Sequence, residues 1–486
     1  MSLVELLDGL PDIAVHTLTK DFSSANLAAS ATELGTLLAE SGLSPGQVVA
    51  AMLPNDAITV AALFGVWRAD GVYTPLNPRA ADQELASQLH TLRPHAVITT
   101  PGLKHRFSRF GLTLLTGTDL HWSVDSGTRQ PTDPRRYDAD VALLQFTSGT
   151  TGAPKPVPLR HGTVLDLIDR LLEKLRGPRS TERQGNRPPM PNLVPLSLSL
   201  WAGIYQVLFA FRAGSGVVLM ERFAATDFAA MVKRYQLRST VLPPAALTMV
   251  LHDDEVTDLS PLKIVRSITA PLSPAQARRF RAKFGVTVLN SYGQTELGGE
   301  VVGWSAADAR EWGEIKLGSA GRPLPGIDVT IADDEVLVRT PTTAASRTPS
   351  APASTSSTAP GNTFSPPRLI MSETRPSSHR KPSSSNQPRS PVWNQPSSVS
   401  LSRKAGSTLR AAVVGVPDER LGEVPWAFVV RTDPALTKSD LMSWCRDRLT
   451  PYRVPVRFVF LDRLPRNDVG KVVKRELAAL AESVMS

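Results

Sequence analysis

LLQFTSGTTGAPKPVPL, Leu143 to Leu159, runs from apolar residues into a loop where Thr147, Ser148, Thr150 and Thr151 surround Gly149 and Gly152, with Lys155 three residues beyond. Glycines let backbone N–H groups approach phosphate oxygens, hydroxyls add donors, and a lysine supplies a point charge. The stretch reads as a strand opening into a polyphosphate cradle. It is not the common nucleotide loop, in which four residues separate the glycines and Lys-Ser/Thr follows the second at once. Here two residues separate Gly149 from Gly152, and Ala153-Pro154 precedes Lys155. A solvated Ser/Thr-rich turn is the alternative for a loop this short, and the full string argues against it.

Outward from that loop, the chain up to about Pro341 alternates helix-like and strand-like segments at α/β spacing. Apolar residues at helical intervals predict a helix over Ala28–Leu43, followed by a buried strand in the run after Gly46. Further strands are expected at His95–Thr99, Val141–Phe146, Gly216–Met220, Ser239–Leu242 and Thr287–Leu289. Helices are expected at Gly162–Leu175, Asp227–Tyr235 and Pro274–Phe284, the last opened by Ser273-Pro274 as cap and first-turn proline. After Leu409 the globular pattern resumes, with strands at Arg410–Val416, Trp426–Arg431 and Arg457–Leu461 and a helix at Lys438–Leu449. This gives an α/β protein with a large N-terminal domain, 1–342, and a small C-terminal domain, 409–486.

Between them, 343–408 is of another kind. Of the residues from Ala344 to Lys404, 17 are Ser and 10 are Pro, without apolar periodicity, so disorder is expected. The same stretch holds eight basic residues and one acid, Glu373, which accounts for most of the net charge of +9. A near-neutral body with one basic insert argues against a nucleic-acid binder. At 486 residues, with 41% hydrophobic and 20% charged residues, the chain can bury a large core and is too long for one. The single cysteine, Cys445, and a start carrying Glu5 and Asp8 point to a reducing, cytoplasmic setting. No stretch offers the ~20 uninterrupted apolar residues of a membrane span.

Four more segments accompany the cradle: GVWRADGVYTPLNPR (Gly65–Arg79), SYGQTELGG (Ser291–Gly299), LGSAGRPLPGIDVTI (Leu317–Ile331) and LPRNDVGKVVKREL (Leu464–Leu477). With TSGTTGAPK, and in this order, they resemble the signature motifs of the adenylate-forming superfamily, which includes acyl- and aryl-CoA synthetases, luciferases and peptide-synthetase adenylation domains. The resemblance implies a multi-subdomain N-terminal adenylation domain and a small C-terminal α/β domain. It implies that Thr147, Ser148, Gly149, Thr150, Thr151, Gly152 and Lys155 hold the β- and γ-phosphates of ATP. Tyr292, with Gly293, would stack on the adenine, Thr295 would donate to the α-phosphate, and Glu296 would bind Mg²⁺. Lys471 would touch the substrate carboxylate and the phosphate, then give way as coenzyme A arrives. Standing alone, YGQTE is also a polar turn after a strand, and Lys471, Lys474 and Arg475 also a solvated basic face.

Such an enzyme would join a small-molecule carboxylic acid to CoA through an acyl-adenylate, with an acyl carrier protein as the competing acceptor. The GVPDERLG segment, Gly415–Gly422, matches the part that serves thioester formation. A fatty or other hydrophobic acid is expected, because Leu198–Leu208 is apolar and PLSLSLWAG, Pro195–Gly203, lacks the aspartate that pairs an amino-acid ammonium. The chain departs from the pattern in three places. Pro156 stands where glycine usually follows the lysine, threatening a donor at the cradle exit. The His or aromatic residue usually found at the acyl pocket is not at its usual place in Pro195–Gly203, whose one aromatic is Trp201. The TGD motif that holds the ribose, the hinge and a Gly-rich loop are absent, with no aspartate between Asp334 and Asp418. Two compensating frame changes around Thr342–Arg410 would produce this pattern, and a TGD-like motif in another reading frame of the coding DNA would establish it. A catalytically inert binding protein is the rival reading.

Overall fold

The computed structural model describes residues 2–125, 133–147, 155–176, 190–270, 272–332, 335–340, 410–418, 422–431, 435–449, 451–465 and 474–485. The Ser/Pro-rich segment lies outside them, as do Ser148, Gly149, Thr150, Thr151, Gly152 and Lys471.

A seven-stranded sheet organises the first part of the chain. Its order is His121–Val124, Thr113–Thr118, Ala96–Thr99, Val48–Met52, Val72–Pro75, Val141–Thr147 and Lys155–Arg160. The five inner strands are parallel, and an antiparallel hairpin closes each edge. The alternation of strand side chains divides the core: Val49 and Ala51 face one side, Val48, Ala50 and Met52 the other. The first side packs the helices Ser24–Glu40 and Ala57–Arg68, and the second packs Asp82–Leu92.

A second layer pairs Asn192–Val194, Val217–Leu219, Ile13–His16 and Asp21–Ser23. Beside it, Ser239–Val241, Ile264–Ser267 and Thr287–Asn290 form a parallel sheet whose core receives the helices Ala225–Arg234, Pro244–Leu251 and Pro274–Phe284. The C-terminal unit pairs Arg410–Asp418 with Gly422–Val430 antiparallel and the latter with Arg457–Phe460 parallel. Helices Lys438–Arg446 and Lys474–Met485 fall in separate apolar clusters of this unit. Arg453 joins it to the large body through an ion pair with Glu84, 3.3 Å away.

The helix Trp201–Arg212 revises one expectation. Trp201, Ile204, Tyr205, Val207 and Leu208 are buried within the main core. The apolarity of Leu198–Leu208 is therefore a packing requirement, and it carries no information about a hydrophobic substrate.

His161, at the start of the helix His161–Arg176, ties the N-terminus to the core. Its Nδ1 lies 3.3 Å from the Leu3 N–H and 3.4 Å from the Ser2 hydroxyl, and its ring meets the edge of Trp67. Nδ1 must stay unprotonated to accept from Leu3. Burial pushes the imidazole pKa down to about 4. A depressed folded-state pKa means that stability is present above the unfolded value of about 6.5 and is lost as pH falls through 4. Denaturant titrations at stepped pH should show a loss of up to ~3 kcal/mol across that window from this group. His161→Asn, which cannot titrate, should remove that component.

Candidate active site

The strands that flank the TSGTTGAPK loop form an edge hairpin. Val141–Thr147 pairs antiparallel with Lys155–Arg160, and Thr147 stands opposite Lys155. Residues 148–154 lie outside the described residues, but those on either side are placed: Thr147 is half-buried and Lys155 exposed.

Pro156 and Pro158 lie on the outermost strand, opposite Phe146 and Leu144. An antiparallel ladder alternates hydrogen-bonded with non-bonded pairs, and proline nitrogens fit only the latter, where they point away from the neighbour. The pair between them, Gln145 with Val157, and the closing pair, Thr147 with Lys155, keep the ladder. Pro156 thus removes no bond from the ladder at the hairpin neck, although it offers no N–H of its own to the cradle exit.

The second motif is a strand and a tight turn. Tyr292–Gln294 runs antiparallel to Gly299–Gly303, and the one-turn 3-10 segment Thr295–Leu297 joins them. Gly298 closes the turn at φ +83°, a left-handed conformation that costs glycine little. Gly293 stands opposite Glu300, and a Cβ there would overlap the Gly299 carbonyl oxygen. The strands meet this closely because position 293 carries no side chain. The Tyr292 hydroxyl accepts a hydrogen bond from Gln294 Nε2 at 2.6 Å, and burial pushes its pKa up to about 12. The ring is therefore neutral and fixed by its own strand.

These two motifs, 140 residues apart in sequence, meet in the fold. The outer cradle strand Lys155–Arg160 packs against the Thr295–Leu297 turn, and the helix His161–Arg176 packs on the strand Gly299–Gly303. Thr295 and Glu296, both half-buried, thus sit next to the strand that begins with Lys155. Among the described residues no group of three or more His, Cys, Asp or Glu side chains could hold a metal ion. Mg²⁺ typically takes one or two carboxylates and completes its shell with substrate phosphates and water. The single carboxylate of Glu296, beside the strand Lys155–Arg160, is a donor set that fits an ion arriving with phosphates.

The chain belongs to the AMP-binding enzymes. Their family profile matches residues 10–345, and the profile of the AMP-binding enzyme C-terminal domain matches 408–471. The chain is thus a member of the adenylate-forming superfamily. It is 27% identical to the 4-coumarate–CoA ligase-like 5 protein of Oryza sativa subsp. japonica, over 94% of this chain and 84% of that protein. It is equally 27% identical to a long-chain-fatty-acid–CoA ligase of Yersinia pestis, over 90% of this chain and 85% of the relative. An amide bond synthetase from Marinactinospora thermotolerans shares the fold, with a TM-score of 0.75, 24% identity and 99% coverage of both chains. This AMP-binding fold has the large N-terminal and small C-terminal domains expected from the motifs.

Sequence reasoning missed the charged layer under the YGQTE strand. Glu300 is buried, and one carboxylate oxygen pairs with the Arg266 guanidinium. Burial raises its pKa, while Arg266, Lys174 and the Ser291 hydroxyl work against the shift. Lys174 sends hydrogen bonds to the carbonyls of Gly303, Arg322 and Pro323 at 2.8, 2.6 and 3.2 Å, pinning the end of its helix to this sheet. The available signal was a lone acid in the otherwise apolar run GEVVG, Gly299–Gly303.

Proposed function

We propose that this AMP-binding enzyme activates a carboxylic acid with ATP, forming an acyl-adenylate and releasing pyrophosphate, and then passes the acyl group to coenzyme A. The observation that carries this reading is the packing of the cradle's outer strand against the Thr295–Leu297 turn. It brings the strand Lys155–Arg160 beside the turn that carries Thr295 and Glu296. The relatives support the CoA half of the reading, since two of them are named CoA ligases. Their named acids, coumarate-like and long-chain fatty, share an apolar body, and an acid of that kind is the substrate we propose.

An anionic carboxylate attacking an anionic α-phosphate needs positioning and charge neutralisation more than covalent help. Lys155 would hold the departing phosphates, and Thr295 would donate to the α-phosphate. Tyr292 would offer its ring to the base. Glu296 would hold Mg²⁺, which when bound offsets phosphate charge. Lys471 would neutralise the carboxylate and the α-phosphate as they approach.

ATP–pyrophosphate exchange with a panel of acids tests the first step, and thioester formation with CoA or a phosphopantetheine carrier tests the second. Glu296→Gln should lower exchange about 100-fold with the melting temperature unchanged, the usual cost of losing one preorganised charge-stabilising group. Full exchange by that variant would remove Glu296 from the mechanism. No exchange with any acid would favour an inert binding protein, the outcome suggested by the lack of aspartate between Asp334 and Asp418.

A further inference from the structure

Asn55 ties the seven-stranded sheet to the second layer. It follows the strand Val48–Met52, and its side chain reaches three backbone groups of the other sheet's connections. Nδ2 donates to the Leu196 and Met220 carbonyls at 3.1 and 3.3 Å, and Oδ1 accepts from the Leu198 N–H at 2.7 Å. A side-chain amide offers two N–H donors and one carbonyl acceptor, so both donors and the acceptor are engaged. The residue is itself held from both sides. Pro54 has a fixed φ, and the Asp56 carboxylate opens the helix Ala57–Arg68 by accepting from the Ala57 N–H at 2.6 Å.

The tie lies at the edge where such sheets take their ligands. Val48–Met52, Val72–Pro75 and Val141–Thr147 run parallel, so Asn55 and Thr147 share the carboxyl edge of their sheet. Leu196 and Met220 follow the parallel strands Asn192–Val194 and Val217–Leu219, again at the carboxyl edge. Open parallel sheets bind ligands outside that edge, where the strand order reverses. Val48–Met52 is the strand of reversal: the chain steps from it to Val72–Pro75 on one side, then to Ala96–Thr99 on the other.

The segment that Asn55 holds continues to the cradle strand. The Ser199 carbonyl accepts from Gln145 Nε2 at 3.4 Å. Gln145 and Thr147 stand two apart on one strand and so share a face. Apolar packing between the layers is non-directional, whereas hydrogen bonds to a backbone fix distance and angle.

We propose that Asn55 is a positioning residue for acid activation: by holding Leu196–Ser199 against the cradle strand, it sets the mutual placement of the two sheets where acid and nucleotide must meet. The proposal rests on the acid-activation reading above.

Pyrophosphate exchange by the full chain, with an acid that the parent activates and at a temperature where every variant is folded by circular dichroism, tests it. Asn55→Ala removes all three bonds. Its kcat should fall on the order of 100-fold, the cost of about 1 Å of misplacement, while KM for ATP stays within about 2-fold. Gln145→Met keeps the volume and cuts the far end of the same connection, so it should lower kcat with the same split. The double variant should lose no more than about 2-fold beyond Asn55→Ala, because the two act through one segment. Val250→Ala, buried in the separate core around the helix Pro244–Leu251, should melt lower and keep its kcat. Unchanged kcat in Asn55→Ala, additive losses in the double variant, or an equal loss in Val250→Ala overturns the positioning role and leaves acid activation standing. Should Asn55→Ala not fold, Gln145→Met decides, and an unchanged kcat there overturns the role. No exchange by the parent with any acid of the panel overturns acid activation and the positioning role with it.

Discussion

Arg266→Met is expected to destabilise the protein by about 3–5 kcal/mol at pH 8, the loss seen when one partner of a buried ion pair is removed. Glu300 would keep its burial and lose the cation that opposes its upward pKa shift. The sign of the pH dependence follows. A carboxyl whose folded-state pKa lies above its unfolded value contributes stability that is complete below the unfolded pKa and is lost as pH rises through the folded one. Without Arg266 that folded pKa rises further. The deficit of the variant against the parent should therefore be larger at pH 8 than at pH 5. Guanidinium titrations of both proteins at the two pH values measure it, and a pH-independent deficit would mean that Glu300 is not the group left behind. Glu300→Gln on the Arg266→Met background should recover much of the loss, because a neutral amide tolerates burial better than a carboxylate.

Gly293→Val has the other large effect. The added Cβ would occupy the space of the Gly299 carbonyl oxygen, backbone on the partner strand that cannot rotate aside. The strands must part, at about 3 kcal/mol, the upper part of the usual cost of overpacking. The Thr295–Leu297 turn hangs between these strands, so its hydroxyl and carboxylate move with them. A displacement on the order of 1 Å suffices for about a 100-fold loss of turnover. Exchange assays and thermal melts on the same preparation should show both losses. Gly162→Ala is the matched control, since a methyl there meets nothing within 4 Å. It should retain activity and lose no stability.

How much of this was legible in the sequence depends on the kind of signal each element carries. Pro274–Phe284 forms as read, because Ser273 and Pro274 mark its start and Gly285, at φ +67°, its end. The motif-bearing hairpin was half legible. Its first strand follows from the apolar run Val141–Phe146, whereas the second, Lys155–Arg160, carries two prolines that read as loop and are tolerated only at an edge. The helix Ala57–Arg68 was invisible to periodicity because it is buried on nearly every face and leaves no polar side to reveal the 3.6-residue repeat. The same holds for Trp201–Arg212, whose apolar character reflects burial on most faces and not a substrate. The packing of the strand Lys155–Arg160 against the turn Thr295–Leu297 needed the tertiary fold, since no local pattern brings the two together. Glu300 was overlooked because a single acid in a strand ordinarily faces solvent, and only the opposed Arg266 explains its burial.

The two prolines on the outer strand have one more effect. A strand at the margin of a sheet invites another polypeptide to zip onto it, and proline denies that visitor the amide hydrogens it would need. With Pro156 and Pro158 at alternate positions, both missing donors lie on the margin that faces away from Val141–Thr147. Self-association or fibril growth along this rim is thereby discouraged.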